Sequence, residues 1–134
     1  MKTSEKVTYI SNWIKNYVNS MPHKAESLVI GIAGGTEKCR WVVNELGFDA
    51  CLDYKDTSAP LRHQLKAVAP DGVDVYFDNT GGDILQTALF AMKMKGRISC
   101  CGAVSMYDGK PSAGPFGVPG LLVTKRLRME GFMI

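Results

Sequence analysis

The residues best suited to chemistry in this 134-residue chain begin with Gly34, Gly35, Thr36 and Lys38. They follow an apolar run at residues 28–33. Two glycines let a ligand approach the backbone closely, and the lysine adds positive charge beside the start of a helix, a combination suited to an anion such as a phosphate. Asp53 stands about 20 residues further on, the spacing of a ribose-binding acid in a nucleotide fold. The four cysteines, Cys39, Cys51, Cys100 and Cys101, form no C-x-x-C pair. Adjacent Cys100 and Cys101 would point to opposite faces of a strand, so they read as reduced, half-buried apolar residues. His23 and His63 stand in polar surroundings apart from any Cys or Asp at ligand spacing, so neither a structural nor a catalytic zinc is expected.

These residues must be positioned by elements whose periodicity is legible. Val7, Ile10, Trp13, Ile14, Tyr17 and Val18 share one face of a helix expected over 5–19, capped by Ser4 and stopped before Pro22. This segment, 1–27, reads as an amphipathic helix and linker apart from the domain at 28–134. From residue 28 the pattern alternates. Strands are expected at 28–33, 50–52, 73–77, 97–101 and 127–134. Between them, Cys39, Val42, Val43 and Leu46 give one helical stripe after a Thr36 cap. A second helix opens at Asp56 or Thr57 with the stripe Leu61, Leu65 and Val68. A third carries Ile84, Leu85, Ala88, Leu89 and Met92 and stops at Gly96. The Gly- and Pro-rich stretch 108–120 is expected to be irregular. Strictly alternating β and α elements argue for an α/β fold, a doubly wound parallel sheet.

Composition narrows the function. Hydrophobic residues make up 46% and charged residues 22%, with a net charge of +3. A packed core is expected. Lys125, Arg126 and Arg128 make no nucleic-acid footprint. No apolar run reaches the roughly 18–20 residues that span a bilayer, and a cytoplasmic location is expected.

Two readings of the first strand stand side by side. In one, 28–33 opens a dinucleotide fold, Gly31, Gly34 and Gly35 form the phosphate loop, and Asp53 binds ribose; a different doubly wound enzyme such as a methyltransferase would use them so. The spacing G-x-x-G-G departs from G-x-G-x-x-G. In the other, 28–33 is the second strand, whose end would meet the adenosine ribose. Gly34, Gly35, Thr36 and Lys38 then suit a ribose 2′-phosphate and hence NADPH, although Lys38 also reads as a solvated surface lysine.

The local words favour the second reading. Gly31-Ile-Ala-Gly-Gly-Thr-Glu-Lys-Cys-Arg-Trp41, Leu46-Gly-Phe-Asp49 and Asp53-Tyr-Lys55 resemble the zinc-independent medium-chain reductases of the prostaglandin reductase, leukotriene B4 12-hydroxydehydrogenase and curcumin reductase group. So do Val73-Asp-Val-Tyr-Phe-Asp-Asn-Thr-Gly-Gly82, Cys101-Gly-Ala-Val-Ser-Met-Tyr107 and Leu127-Arg-Met-Glu-Gly-Phe132. The resemblance covers 28–134 and implies a Rossmann domain. It implies that Lys38 and Tyr54 contact the 2′-phosphate and adenosine end of NADP. It places Asn79, the segment Cys101, Gly102 and Ala103, and Phe132 near the cofactor, and Tyr107 near the substrate. Family members reduce a carbon–carbon double bond of an enone or alkenal. A tyrosine hydroxyl can stabilise the charge that grows on the carbonyl oxygen or deliver a proton to it.

Residues 1–27 contain no glycine, so the Rossmann fold is expected to be incomplete, without its first strand and phosphate loop. The family's substrate domain is also expected to be absent. An isolated chain would then bind NADP weakly and lack turnover, and uncovered apolar faces would favour a homodimer. The alternative is a non-catalytic nucleotide-binding or dimerising module.

Overall fold

A computed structural model describes residues 28–107 and 114–133, together with Glu5, Tyr9, Asn12 and Asn16. Those four residues are helical and exposed. Most of the helix expected over 5–19, including its apolar stripe, lies outside the described residues, as does His23. The chain divides into two compact units, residues 1–55 and 56–134.

The first unit holds β1 (Ile30–Ala33), α1 (Thr36–Asn44) and β2 (Ala50–Asp53). The strands pair in parallel, Ile30 opposite Ala50 and Ala33 opposite Asp53, and a parallel pair needs a crossover such as α1 to join it. Helix α1 packs on both strands. Val42, Phe48 and Cys51 crowd around Gly31, where a Cβ would lie 2.8 Å from Val42 Cγ1 and 3.2 Å from Cys51 Sγ. Thr36 is expected to cap α1, but it is the first helical residue. Gly35 is the cap, at φ 106°. That backbone conformation strains a residue with a Cβ, so the cap position falls to glycine.

The second unit holds α2 (Leu61–Val68), β3 (Val73–Asp78), α3 (Gly82–Ala91), β4 (Met92–Cys100), a 3-10 turn (Val104–Met106), α4 (Val118–Lys125) and β5 (Arg128–Gly131). Its sheet runs β3-β4-β5, all parallel. Leu85, Leu89, Met92 and Ile98 form a buried cluster, with Val73, Tyr76, Val118, Leu121 and Met129 packed against it. Helix α3 touches β3, α2 and α4, and α4 lies on β4. The fold class is therefore α/β with parallel pairing, as the alternation of elements predicts.

Several boundaries differ from the sequence expectation, four of them markedly. Helix α2 starts at Leu61 rather than at Asp56 or Thr57. The Asp56 carboxylate accepts from Ser58 N at 2.8 Å and Ser58 Oγ at 2.6 Å, a local turn that competes with helix. Met92 belongs to β4, not to the helix, and Gly96 does not end α3. Met92 is extended and pairs with Val73, and the register then jumps, so that Val75 pairs with Arg97. The extra residues form a bulge with Lys95 at φ 63°. The stretch expected to be irregular ends in a helix, because Pro119 falls in the first turn of α4, where its missing N–H costs no hydrogen bond. Finally, β5 covers only Arg128–Gly131 of the expected 127–134. Among the described residues, no helix is long and apolar enough to cross a membrane.

Candidate functional site

In the first unit the ends of β1 and β2 build a small loop platform. Asp53 closes β2, and its Oδ1 accepts from Gly35 N at 2.8 Å and from Lys55 N at 2.9 Å. One carboxylate thus fastens the turn after β1 to the turn after β2. A Cβ on Gly34 would lie 2.7 Å from Tyr54 Oη, 2.8 Å from Tyr54 Cζ and 2.9 Å from Lys55 Cε. The Tyr54 ring and the Lys55 stem therefore cross directly over the Gly34 backbone, an approach only glycine allows. Around Gly35 the space where a side chain would stand is open.

Helix α1 points its N-terminus out of this platform. Cys39 N–H is bonded to the Gly35 carbonyl at 3.1 Å, so the N–H groups of residues 36–38 have no intrahelical partner. Lys38 is exposed in that first turn, beside the exposed Glu37. Lys38 makes no ion pair among the described residues. Helix N–H groups, an open glycine backbone, two lysines and a tyrosine hydroxyl are the equipment of an anion site.

In the second unit the loops after β3 and β4 are laced together. Asp78, only 2% exposed, accepts from Thr80 N at 3.2 Å, Gly81 N at 3.1 Å and Tyr76 Oη at 3.1 Å. Its own carbonyl accepts from Cys101 N at 2.7 Å. The Asn79 carbonyl accepts from Val104 N at 3.1 Å, and the Thr80 carbonyl accepts from Ser105 N at 3.0 Å and Ser105 Oγ at 2.6 Å. A Cβ on Gly102 would stand 2.5 Å from Asn79 Oδ1 and 3.3 Å from Tyr107 Oη. Asn79, Gly102 and Tyr107 thus converge, and Tyr107 Oη accepts from Ala103 N at 3.2 Å. That bond uses the phenol oxygen, and it leaves the hydroxyl hydrogen free to donate elsewhere.

Burial raises the Tyr76 phenol well above its ordinary value, and the neighbouring Asp78 charge raises it further. Burial likewise raises the Cys100 thiol, again with the Asp78 charge as the second cause. Phe132 follows β5, its N–H bonded to the Cys100 carbonyl at 3.0 Å, its ring edge-on to Phe77 at 5.9 Å.

Of the residues singled out in the sequence, Asn79, Cys101, Gly102, Ala103 and Tyr107 come together at the C-terminal ends of β3 and β4. Phe132 lies beyond the end of β5. Lys38 and Tyr54 belong to the first unit. Sequence reasoning missed Lys55, Asp78 and Ser105. Asp78 had a signal: an acid at a strand end before Asn-Thr-Gly-Gly is poised to bind the loop's own N–H groups. Lys55 and Ser105 carried none, since their partners are set by chain segments far apart. All four cysteines are free and half-buried. Among the described residues, no group of three His, Cys, Asp or Glu side chains could hold a metal ion.

Comparison with known proteins agrees with this arrangement. The family model described as zinc-binding dehydrogenase matches residues 22–134. Rat prostaglandin reductase 1 is 42% identical over 106 residues, 79% of this chain and 32% of that protein. The NADP(+)-dependent 2-alkenal reductase of tobacco is also 42% identical over 106 residues, 79% of this chain and 30% of its own length. The crystal structure of CurA in complex with NADPH from Vibrio vulnificus superposes with a TM-score of 0.69 at 37% identity, covering 78% of this chain and 32% of that one. The chain spans about a third of the length of the curated relatives it matches. With its parallel α/β units and this match across most of its residues, the chain belongs to the zinc-binding dehydrogenase family of medium-chain dehydrogenase/reductases, in the group of the prostaglandin and alkenal reductases.

Proposed function

We propose that this chain is the NADPH-binding part of a reductase that saturates the carbon–carbon double bond of enones or alkenals. The observation that carries the reading is the end of β1. An NAD site wants a carboxylate where this strand meets the ribose. Here the chain offers Gly34, an open Gly35 and an exposed Lys38 instead, and the Asp53 carboxylate beside them accepts from Gly35 N and Lys55 N through Oδ1. The polar groups that remain, Lys38, Lys55, Tyr54 Oη and the N–H groups of α1, suit a 2′-phosphate. The names of the prostaglandin reductase, alkenal reductase and CurA relatives support the same chemistry.

In this reading the first unit holds the 2′-phosphate and adenosine end. Lys38 supplies charge, Tyr54 a ring and a hydroxyl, and open Gly35 leaves room for the ribose. The second unit takes the nicotinamide end through Asn79, Cys101, Gly102, Ala103 and Phe132. When bound, the cofactor supplies a hydride. The chain's own contribution to the reaction is Tyr107, whose free hydroxyl hydrogen is donated to the substrate's carbonyl oxygen as negative charge gathers there.

The test is a titration of the chain with NADPH and with NADH, followed by nicotinamide fluorescence, before and after Lys38→Ala. The reading expects a preference for NADPH that the substitution reduces about tenfold, with NADH binding unchanged. Equal affinity for the two cofactors in the unsubstituted chain would remove the 2′-phosphate site, and a loss shared by both would remove Lys38 from it.

A further inference from the structure

Asn79 and Tyr107 are exposed, yet the group that fixes their loops is not. Asp78 is almost completely buried, and it is the meeting point of three segments. Its carboxylate receives the amides of Thr80 and Gly81 and the hydroxyl of Tyr76, while its carbonyl receives Cys101 N–H. The two carbonyls that follow it, on Asn79 and Thr80, hold Val104 and Ser105. Tyr76 lies two residues upstream on the same face of β3, so its hydroxyl reaches the carboxylate from within the sheet layer. The side chain is partly buried against the core cluster.

We propose that Tyr76 and Asp78 form a positioning pair that sets the 79–82 loop against the 101–107 segment, and so fixes where Asn79 and the Tyr107 hydroxyl stand. Neither side chain touches the reacting atoms. Their effect runs through the backbone: the carboxylate pins the Thr80 and Gly81 amides, which orients the Asn79 and Thr80 carbonyls, which in turn anchor Val104 and Ser105 and the turn leading to Tyr107. The Tyr76 hydroxyl fills a remaining acceptor site on the carboxylate and restricts its rotation. A phenol held well above its ordinary range stays protonated, and remains a donor, across working pH. The part of this assignment that concerns the nicotinamide end rests on the function proposed above; the part that concerns the loops does not.

Tyr76→Phe keeps the ring and removes only the hydroxyl, and Asp78→Asn keeps one acceptor oxygen, so neither opens a cavity. Both variants are made in the full chain, and amide hydrogen exchange is read residue by residue by NMR. The amides of Thr80, Gly81, Val104 and Ser105 are expected to exchange about tenfold faster, while those of Ile98 and Ser99 in β4 keep their rates. Unchanged loop amides would overturn the proposal. So would equal acceleration of loop and strand, which assigns the pair to general stability. In parallel, NADPH and 2′,5′-ADP are titrated. The variants should retain 2′,5′-ADP binding and lose the advantage that NADPH has over it. If the unsubstituted chain shows no such advantage, the nicotinamide reading of this unit falls, and the exchange data decide the positioning role by themselves.

Discussion

Replacing Lys125 with methionine should destabilise the second unit by about 2 kcal/mol, and the figure follows from where the ammonium sits. Helix α3 ends at Ala91; the Met92 N–H serves Leu89 O, and the carbonyls after it lack intrahelical donors. Lys125 Nζ reaches back from the last turn of α4 and donates to Phe90 O at 2.6 Å and Met92 O at 2.9 Å, with Leu89 O further off at 3.5 Å. Hydrogen bonds from a charged donor contribute roughly 1.5–3 kcal/mol each, and a cation at a helix C-terminus adds about 0.3–1 kcal/mol. Lys125 is only half-buried, so solvent takes back part of this sum. Methionine keeps an unbranched apolar side chain of similar length and removes the ammonium. Urea unfolding followed by far-UV circular dichroism would register the loss as a lower midpoint at unchanged slope. The perturbed end of α3 is the far end from the Asn79 loop, roughly 15 Å along a ten-residue helix, so cofactor binding to the folded chain should be unaffected. A loss below about 0.5 kcal/mol would mean that water serves these carbonyls as well as the ammonium does, and the reasoning would be refuted.

Three further outcomes are expected. Gly102→Ala places a Cβ 2.5 Å from Asn79 Oδ1; the side-chain amide must turn away, and NADPH affinity should drop about tenfold at unaltered circular dichroism, whereas wild-type affinity would detach Asn79 from the cofactor. Burial, reinforced by the Cys39 thiol beside it, pushes the Cys51 thiol up from 9.0 to about 12. Native Cys51 should therefore resist iodoacetamide at pH 8 and react once the chain is unfolded, as read by peptide mass spectrometry. Because the folded form holds its proton more tightly, the stability this thiol contributes is complete below pH 9 and is lost as pH rises from 9 towards about 12. Where the chain supports enone reduction, Tyr107→Phe should lower turnover by at least about tenfold with little change in NADPH affinity; an unchanged rate would take the phenol out of the chemistry.

The alternation of strand-like runs with helical stripes was enough to point to a parallel α/β fold, because parallel strands need crossover connections such as helices to join them. The ordered words around Lys38, Asn79 and Tyr107 were enough to point to the family. Both are properties of residues close together along the chain. Tertiary structure decided the rest. Asp53 has the spacing of a ribose acid, but its carboxylate meets Gly35 N across 18 residues, so its role could not be read from position alone. Met92 has helical spacing, but the pairing with Val73 draws it into β4. The Gly- and Pro-rich stretch looked structureless, and a helix forms at its end because Val118 and Leu121 have the Leu89 cluster to pack on. Asn79, Gly102 and Tyr107 were separate candidates in the sequence. What makes them neighbours is the parallel register of β3 and β4, which brings the loops following both strands to the same end of the sheet.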